Sequence, residues 1–146
     1  MQDAPKILIV DDQSTMRELI TIALECGGFA VTQAFDGVHG LEVLKTQMPD
    51  VIVTDLNMPR LNGTGLIEAV RRNPEFDHVP ILVLSSEDAS VYREKARNAG
   101  ASGWMVKPFS PTKLISAVQQ LANEAFSYTP EFPVGQASFS AAPAYL

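Results

Sequence analysis

The stretch Ile7-Leu8-Ile9-Val10-Asp11-Asp12 runs four aliphatic residues straight into two adjacent acids. An apolar run this short, unbroken by polar residues, reads as a strand covered on both faces. The same texture recurs at Val51-Ile52-Val53, Ile81-Leu82-Val83-Leu84 and Trp104-Met105-Val106. Ala30-Val31-Thr32-Gln33-Ala34 alternates instead, as an edge strand exposed on one side does. Between these runs the apolar residues return at three- and four-residue spacing: Met16, Leu19, Ile20, Ala23 and Leu24, then Leu66, Ile67 and Val70. Ser14 stands where a cap precedes the first helix, Gly27-Gly28 where that helix stops and Gly100 where the fourth stops. Pro111 follows Ser110 as a first helical residue follows its N-cap. Five strand–helix units in strict alternation predict an α/β fold: a doubly wound, five-stranded parallel sheet with helices on both sides.

Composition limits what such a fold can do. The 146 residues are 46% hydrophobic and 19% charged, a globular mixture large enough for one sizeable core. Acids outnumber bases 17 to 11, a net charge of -6, which argues against nucleic-acid binding and against a basic membrane patch. The single cysteine, Cys26, excludes an internal disulfide framework and suits a reducing compartment. It is expected as a small buried residue late in the first helix. No apolar run approaches the roughly 20 residues of a membrane span, and the start of the chain has no secretory pattern, so a cytoplasmic protein is expected. Residues 127–146 change texture: three prolines, a single charge at Glu131 and the aromatics Tyr128, Phe132, Phe139 and Tyr145. The expected division is a domain over 1–126 and a flexible tail over 127–146, whose aromatics could alternatively dock on the domain or a partner.

In a parallel sheet of this kind ligands bind beyond the carboxyl ends of the strands. The residues there are Asp11-Asp12 after the first run, Asp55 and Asn57 after the third, Ser85-Ser86 and Glu87 after the fourth, and Lys107-Pro108 after the fifth. Three carboxylates brought together repel unless cations sit among them. Lys107 offsets one charge, and a hard divalent ion such as Mg²⁺, which prefers oxygen ligands, would offset the rest. The bland alternative is that the acids only complement helix N-termini. A carboxylate held beside a lysine and a divalent ion can itself act as a phosphoryl acceptor, and Asp55 at the end of a central strand is the best placed.

Four segments in this order carry a resemblance: Ile9-Val10-Asp11-Asp12, Val53-Thr54-Asp55-Leu56-Asn57-Met58-Pro59, Leu84-Ser85-Ser86 and Val106-Lys107-Pro108-Phe109. Residues 6–125 resemble a response-regulator receiver domain of the single-domain, CheY-like chemotaxis type. The resemblance implies a flavodoxin-like (βα)5 fold with strand order 2-1-3-4-5. It also implies that Asp55 is the phosphoacceptor. Asp12 would bind Mg²⁺ directly, Asp11 mainly through water, and Asp55 with the backbone carbonyl of Asn57 would complete the ligands. Ser85 and Lys107 would engage the phosphoryl oxygens, the Lys107-Pro108 bond would be cis, and Asn57 with Glu87 would tune a dephosphorylation that is fast for a receiver. Trp104 stands where the family commonly has a Tyr or Phe switch ring. Asn62-Gly63 replaces a common Asp-Gly and is expected to make an equally good turn. Met58-Pro59 stiffens the loop, and His39 and His78 are expected at the surface.

The partners so implied are a CheA-like histidine kinase or a histidine phosphotransferase upstream. Downstream they are a flagellar switch protein or another output protein. A monomer is expected, with output through the face of the fourth helix, fifth strand and fifth helix, near Trp104 and Lys113. Chemical turnover would be limited to self-catalysed phosphotransfer and autodephosphorylation. A relay carrier or phosphate sink is the alternative. A phosphatase of the haloacid-dehalogenase kind is remote, because its nucleophile ends the first strand in an Asp-x-Asp pattern and it carries a cap.

Overall fold

The computed structural model describes residues 4–86 and 90–126. Five strands and five helices alternate: β1 (Lys6–Val10), α1 (Ser14–Cys26), β2 (Ala30–Ala34), α2 (Gly37–Leu44), β3 (Val51–Asp55), α3 (Gly63–Arg72), β4 (Ile81–Ser85), α4 (Ser90–Ala99), β5 (Gly103–Val106) and α5 (Pro111–Phe126). The sheet is parallel throughout, in the order β2-β1-β3-β4-β5. β2 is an edge strand, as its alternation predicts.

The two-residue period of the strands divides the interior into two cores. Ile7, Ile9, Val53 and Leu84 face α1 and α5, where they meet Leu24, Leu114 and Val118. Leu8, Val10, Ile52 and Val83 face the other way, onto Leu66, Ile67 and Val70 of α3. Trp104 lies in this second core. The central strands are covered on both faces, so apart from Lys6 at the start of β1 their polar side chains lie at or just beyond the carboxyl ends.

Several local expectations need correction. Ser14 is the first residue of α1 rather than its cap; Gln13 is the N-cap and makes no side-chain cap bond. Leu19 is 53% exposed, because the buried stripe of α1 runs through Ile20, Ala23 and Leu24. Cys26 falls two residues beyond that stripe and is exposed rather than buried. Asn62-Gly63 is a helix start, not a turn: Asn62 caps α3, its Oδ1 accepting from Gly65 N–H at 2.8 Å. Asn caps as well as Asp, so the departure costs nothing. His78 is exposed, but His39 is half-buried; its Nδ1 accepts the Phe35 N–H at 3.1 Å.

The helix ends at Gly28 (φ 92) and Gly100 (φ 117) use backbone angles that favour glycine. Pro111 opens α5, with the Lys113 N–H reaching Ser110 Oγ at 3.4 Å. Arg71 braces the amino-terminal edge of the sheet. Its guanidinium donates to the carbonyls of Gly100 (2.9 Å), Asp77 (3.0 Å) and Val79 (2.7 Å). No described helix is long and apolar enough to cross a membrane.

Candidate functional site

The carboxyl ends of β1, β3 and β5 meet in one acidic cleft. Carboxylate oxygens of Asp11, Asp12 and Asp55 all lie within 4.8 Å of one another. The Lys107 ammonium reaches in from beyond β5, 3.1 Å from Asp11 Oδ2 and 3.4 Å from Asp55 Oδ1. The four side chains therefore share one hollow, as the strand-end rule requires.

Each is held differently. Asp11 is buried; its Oδ1 accepts the Gln13 N–H at 2.9 Å, and its carbonyl accepts from Arg17 at 2.7 Å. Asp12 is exposed. Asp55 is half-buried, and its Oδ1 takes the Leu56 N–H at 2.8 Å. Burial pushes the Asp55 carboxyl above the ordinary carboxylate value; the Lys107 charge opposes this, and the nearby Asp11 adds to it. Two short backbone links fix the rim: Lys107 N–H donates to the Ser85 carbonyl at 2.8 Å, and Gly63 N–H to the Leu56 carbonyl at 2.8 Å.

The donor set suits a small hard cation. The single ammonium of Lys107 contacts two of the three carboxylates, Asp11 and Asp55, and the third, Asp12, is exposed. Oxygen donors within this spacing can close around Mg²⁺, with water filling the remaining positions. Asn57, on the exposed loop after β3, follows Asp55 by two residues. Its backbone carbonyl is the further ligand that the receiver-domain resemblance implies.

The remaining expected residues take these positions. Ser85 is fully buried at the end of β4, where it pairs in register with Val106. The Lys107–Pro108 bond is cis and Pro108 is exposed. Trp104 is fully buried, and its indole Nε1 has no hydrogen-bond partner among the described residues. Glu87 and the tail aromatics Tyr128, Phe132, Phe139 and Tyr145 lie outside the described residues.

One pair beside the site is not visible in the sequence. Asp36, 3% exposed, caps α2 by accepting the His39 N–H at 2.8 Å and forks with Arg60 at 2.6 and 3.0 Å. The Arg60 guanidinium holds the Asp36 carboxyl below the ordinary carboxylate range. The two residues stand 24 apart in the chain, and only the juxtaposition of the β2–α2 turn with the β3–α3 loop joins them.

Comparison with known proteins agrees with this geometry. The profile of the response regulator receiver domain matches residues 7–119. The chain is 42% identical over 110 residues to chemotaxis protein CheY-3 of Vibrio cholerae, covering 75% of this chain and 85% of that protein. It is 39% identical over 117 residues to chemotaxis protein CheY of Pseudomonas aeruginosa, covering 80% and 94%. It also matches hybrid signal transduction histidine kinase D of Dictyostelium discoideum, at 38% identity over 121 residues, but spans only 8% of that protein. The solved structure of response regulator CheY4 of Vibrio cholerae superposes with a TM-score of 0.77 at 34% identity, covering 81% of this chain and 98% of that one. With the fold, the strand-end acids and the family profile in agreement, the chain belongs to the response regulator receiver domain family of two-component signalling.

Proposed function

We propose that Asp55 accepts a phosphoryl group from a phosphohistidine of a histidine kinase, with Mg²⁺ bound in the cleft, and that the altered surface of α4, β5 and α5 carries the signal. The observation that carries this reading is the meeting of Asp11, Asp12 and Asp55 around the single ammonium of Lys107. Both contacts on Asp55, from the Leu56 N–H and from Lys107, are made to Oδ1, which leaves Oδ2 to attack phosphorus. In that step the new Oδ2–P bond forms as the P–N bond of the phosphohistidine breaks, and the imidazole leaves with a proton. When bound, Mg²⁺ neutralises charge on the phosphoryl oxygens. Asp12 would bind that ion directly and Asp11 mainly through water, and Asp55 with the carbonyl of Asn57 would complete the ligands.

Phosphorylation adds a charge of about -1.5 to -2. Lys107 already stands against Asp55 and would shift its pairing to the new oxygens. The buried Ser85 would turn its hydroxyl toward them. Trp104, buried in the same core as Ala96 of α4, would register the movement as the switch ring. Asn57 with Glu87 would set the rate at which water removes the phosphoryl group.

Relatives bearing the name chemotaxis protein favour output to a flagellar switch protein. The match to a hybrid kinase favours a second reading, in which this chain relays the phosphoryl group to a histidine phosphotransferase. The test is labelling with acetyl phosphate and Mg²⁺. Wild type is expected to label, Asp55→Asn to lose all label with its fold intact, and Asp12→Ala to lose Mg²⁺ binding and label together. Label retained in Asp55→Asn would move the acceptor elsewhere. Beryllofluoride-activated protein offered both partner types then separates motor control from relay.

A further inference from the structure

We infer that Asp36 and Arg60 form a latch that positions the loop after Asp55, and with it the Asn57 carbonyl; the inference rests on the phosphoacceptor reading above. The loop runs from Leu56 to the α3 cap at Asn62. Near its middle the Leu61 N–H donates to the Pro59 carbonyl at 2.7 Å, closing a three-residue turn around Arg60. Arg60 has φ 67, the sign seen in the rare, strained form of this turn. Among the described residues Arg60 is the only non-glycine residue with positive φ. Glycine would adopt that angle without strain, so a side chain here must be held.

Asp36 supplies the hold. Its two oxygens take the Arg60 Nε and Nη2 at 2.6 and 3.0 Å, a forked geometry that fixes orientation as well as distance. Asp36 is itself fixed by burial and by the His39 N–H. The Arg60 guanidinium carbon lies 5.9 Å from the centre of the Phe35 ring, and Phe35 stacks on His39 at 4.0 Å. The backbones also approach closely: a Cβ at Gly37 would clash with the Leu61 carbonyl. The far end of the loop is closed against the acceptor, because a Cβ at Gly63 would clash with the Asp55 carbonyl. Asn57 therefore lies between an anchored end at Asp55 and a strained turn at Arg60 that the β2–α2 turn holds from outside. Releasing Arg60 lets the turn relax and removes the restraint on the carbonyl. Asp36 and Arg60 are positioning residues and touch no reacting atom.

The test is calorimetric Mg²⁺ titration of wild type, Asp36→Asn, Arg60→Gly and the double variant, with thermal melting alongside. Asn still caps α2, so Asp36→Asn removes the ion pair and spares the helix start. Asp36→Asn is expected to weaken Mg²⁺ binding about tenfold, the usual scale for losing a group that orients a ligand. Arg60→Gly, which needs no latch, is expected to stay near wild type, and the double variant is expected to follow it. That rescue is a result a purely structural cap would not produce. Wild-type affinity in Asp36→Asn, or a double variant as weak as that single one, overturns the latch. If wild type itself binds no Mg²⁺, the phosphoacceptor reading falls and the latch with it. If wild type binds and labels while Asp36→Asn is unchanged, only the latch falls.

Discussion

The Lys107 ammonium lies 3.1 Å from a carboxylate oxygen of Asp11, a residue 96 positions earlier in the chain. Asp11 is almost wholly shielded from water, and the Lys107 side chain is only 12% exposed. Removing the lysine would leave a buried anion without compensation, beside two other acids. Lys107→Met is therefore expected to lower the stability of the metal-free protein by about 3 kcal/mol, read by urea denaturation. Asp12→Asn, which removes one of the repelling acids, is expected to raise it.

Asp55 reverses the usual effect of acid. Burial raises its carboxyl above 3.8, so folding at neutral pH holds an anion in a place where burial disfavours the charge. That penalty is present above the folded-state value and disappears as pH falls through it toward 3.8. Asp55→Asn, uncharged at every pH, is expected to be more stable than wild type at neutral pH. The gap between the two melting temperatures in metal-free buffer is expected to close as pH is lowered. A constant gap across that window would assign the difference to packing.

Asp36 has the opposite sign. Its carboxyl is held low by Arg60, so its contribution is complete above 3.8 and is lost only below it. A melting series run further into acid is expected to show wild type losing stability that Asp36→Asn has already lost.

Trp104 is buried with its indole N–H unpartnered among the described residues. An unsatisfied buried donor costs about 1–3 kcal/mol. Trp104→Phe removes that cost while leaving a small cavity, and is expected to equal or exceed wild type in chemical denaturation. Trp104→Ala, which empties the site, is expected to lose about 3–5 kcal/mol. A large loss in the Phe variant would mean that the N–H has found an acceptor. Trp104 is also the only tryptophan of the chain, so the proposed switch role predicts a change in its emission on adding beryllofluoride with Mg²⁺, and unchanged emission would exclude that role.

Arg71 ties α3 to the starts of β4 and β5, at the opposite end of the strands from Asp55. Lysine cannot reproduce its fork to several carbonyls. Arg71→Lys is expected to lower stability by about 2 kcal/mol, with Mg²⁺ affinity and labelling unchanged.

The parts legible in sequence are those that depend on neighbours in the chain. Ile7-Leu8-Ile9-Val10 and Val51-Ile52-Val53 are unbroken because both faces of these strands are covered, and that made the sheet and its acidic ends readable. Contacts between distant loops left no such trace. Asp36 reads as a turn residue until Arg60 meets it, and Arg60 reads as a surface charge until its backbone angle is known. The exposure of Leu19 and Cys26 has a different cause. Apolar character marked them for the core, but the phase of α1 set by Ile20, Ala23 and Leu24 turns both outward. A stricter count of helical phase exposes Cys26; Leu19 falls at the margin of the stripe.

The spacing of the cleft residues along the chain also bears on biosynthesis. A ribosome releases Asp11, Asp12 and Asp55 long before Lys107. A nascent chain that lacks β5 already carries every acid of the hollow but not the ammonium between them. The hollow as a whole, three acids with their lysine, is therefore complete only once β5 and the residue after it have docked.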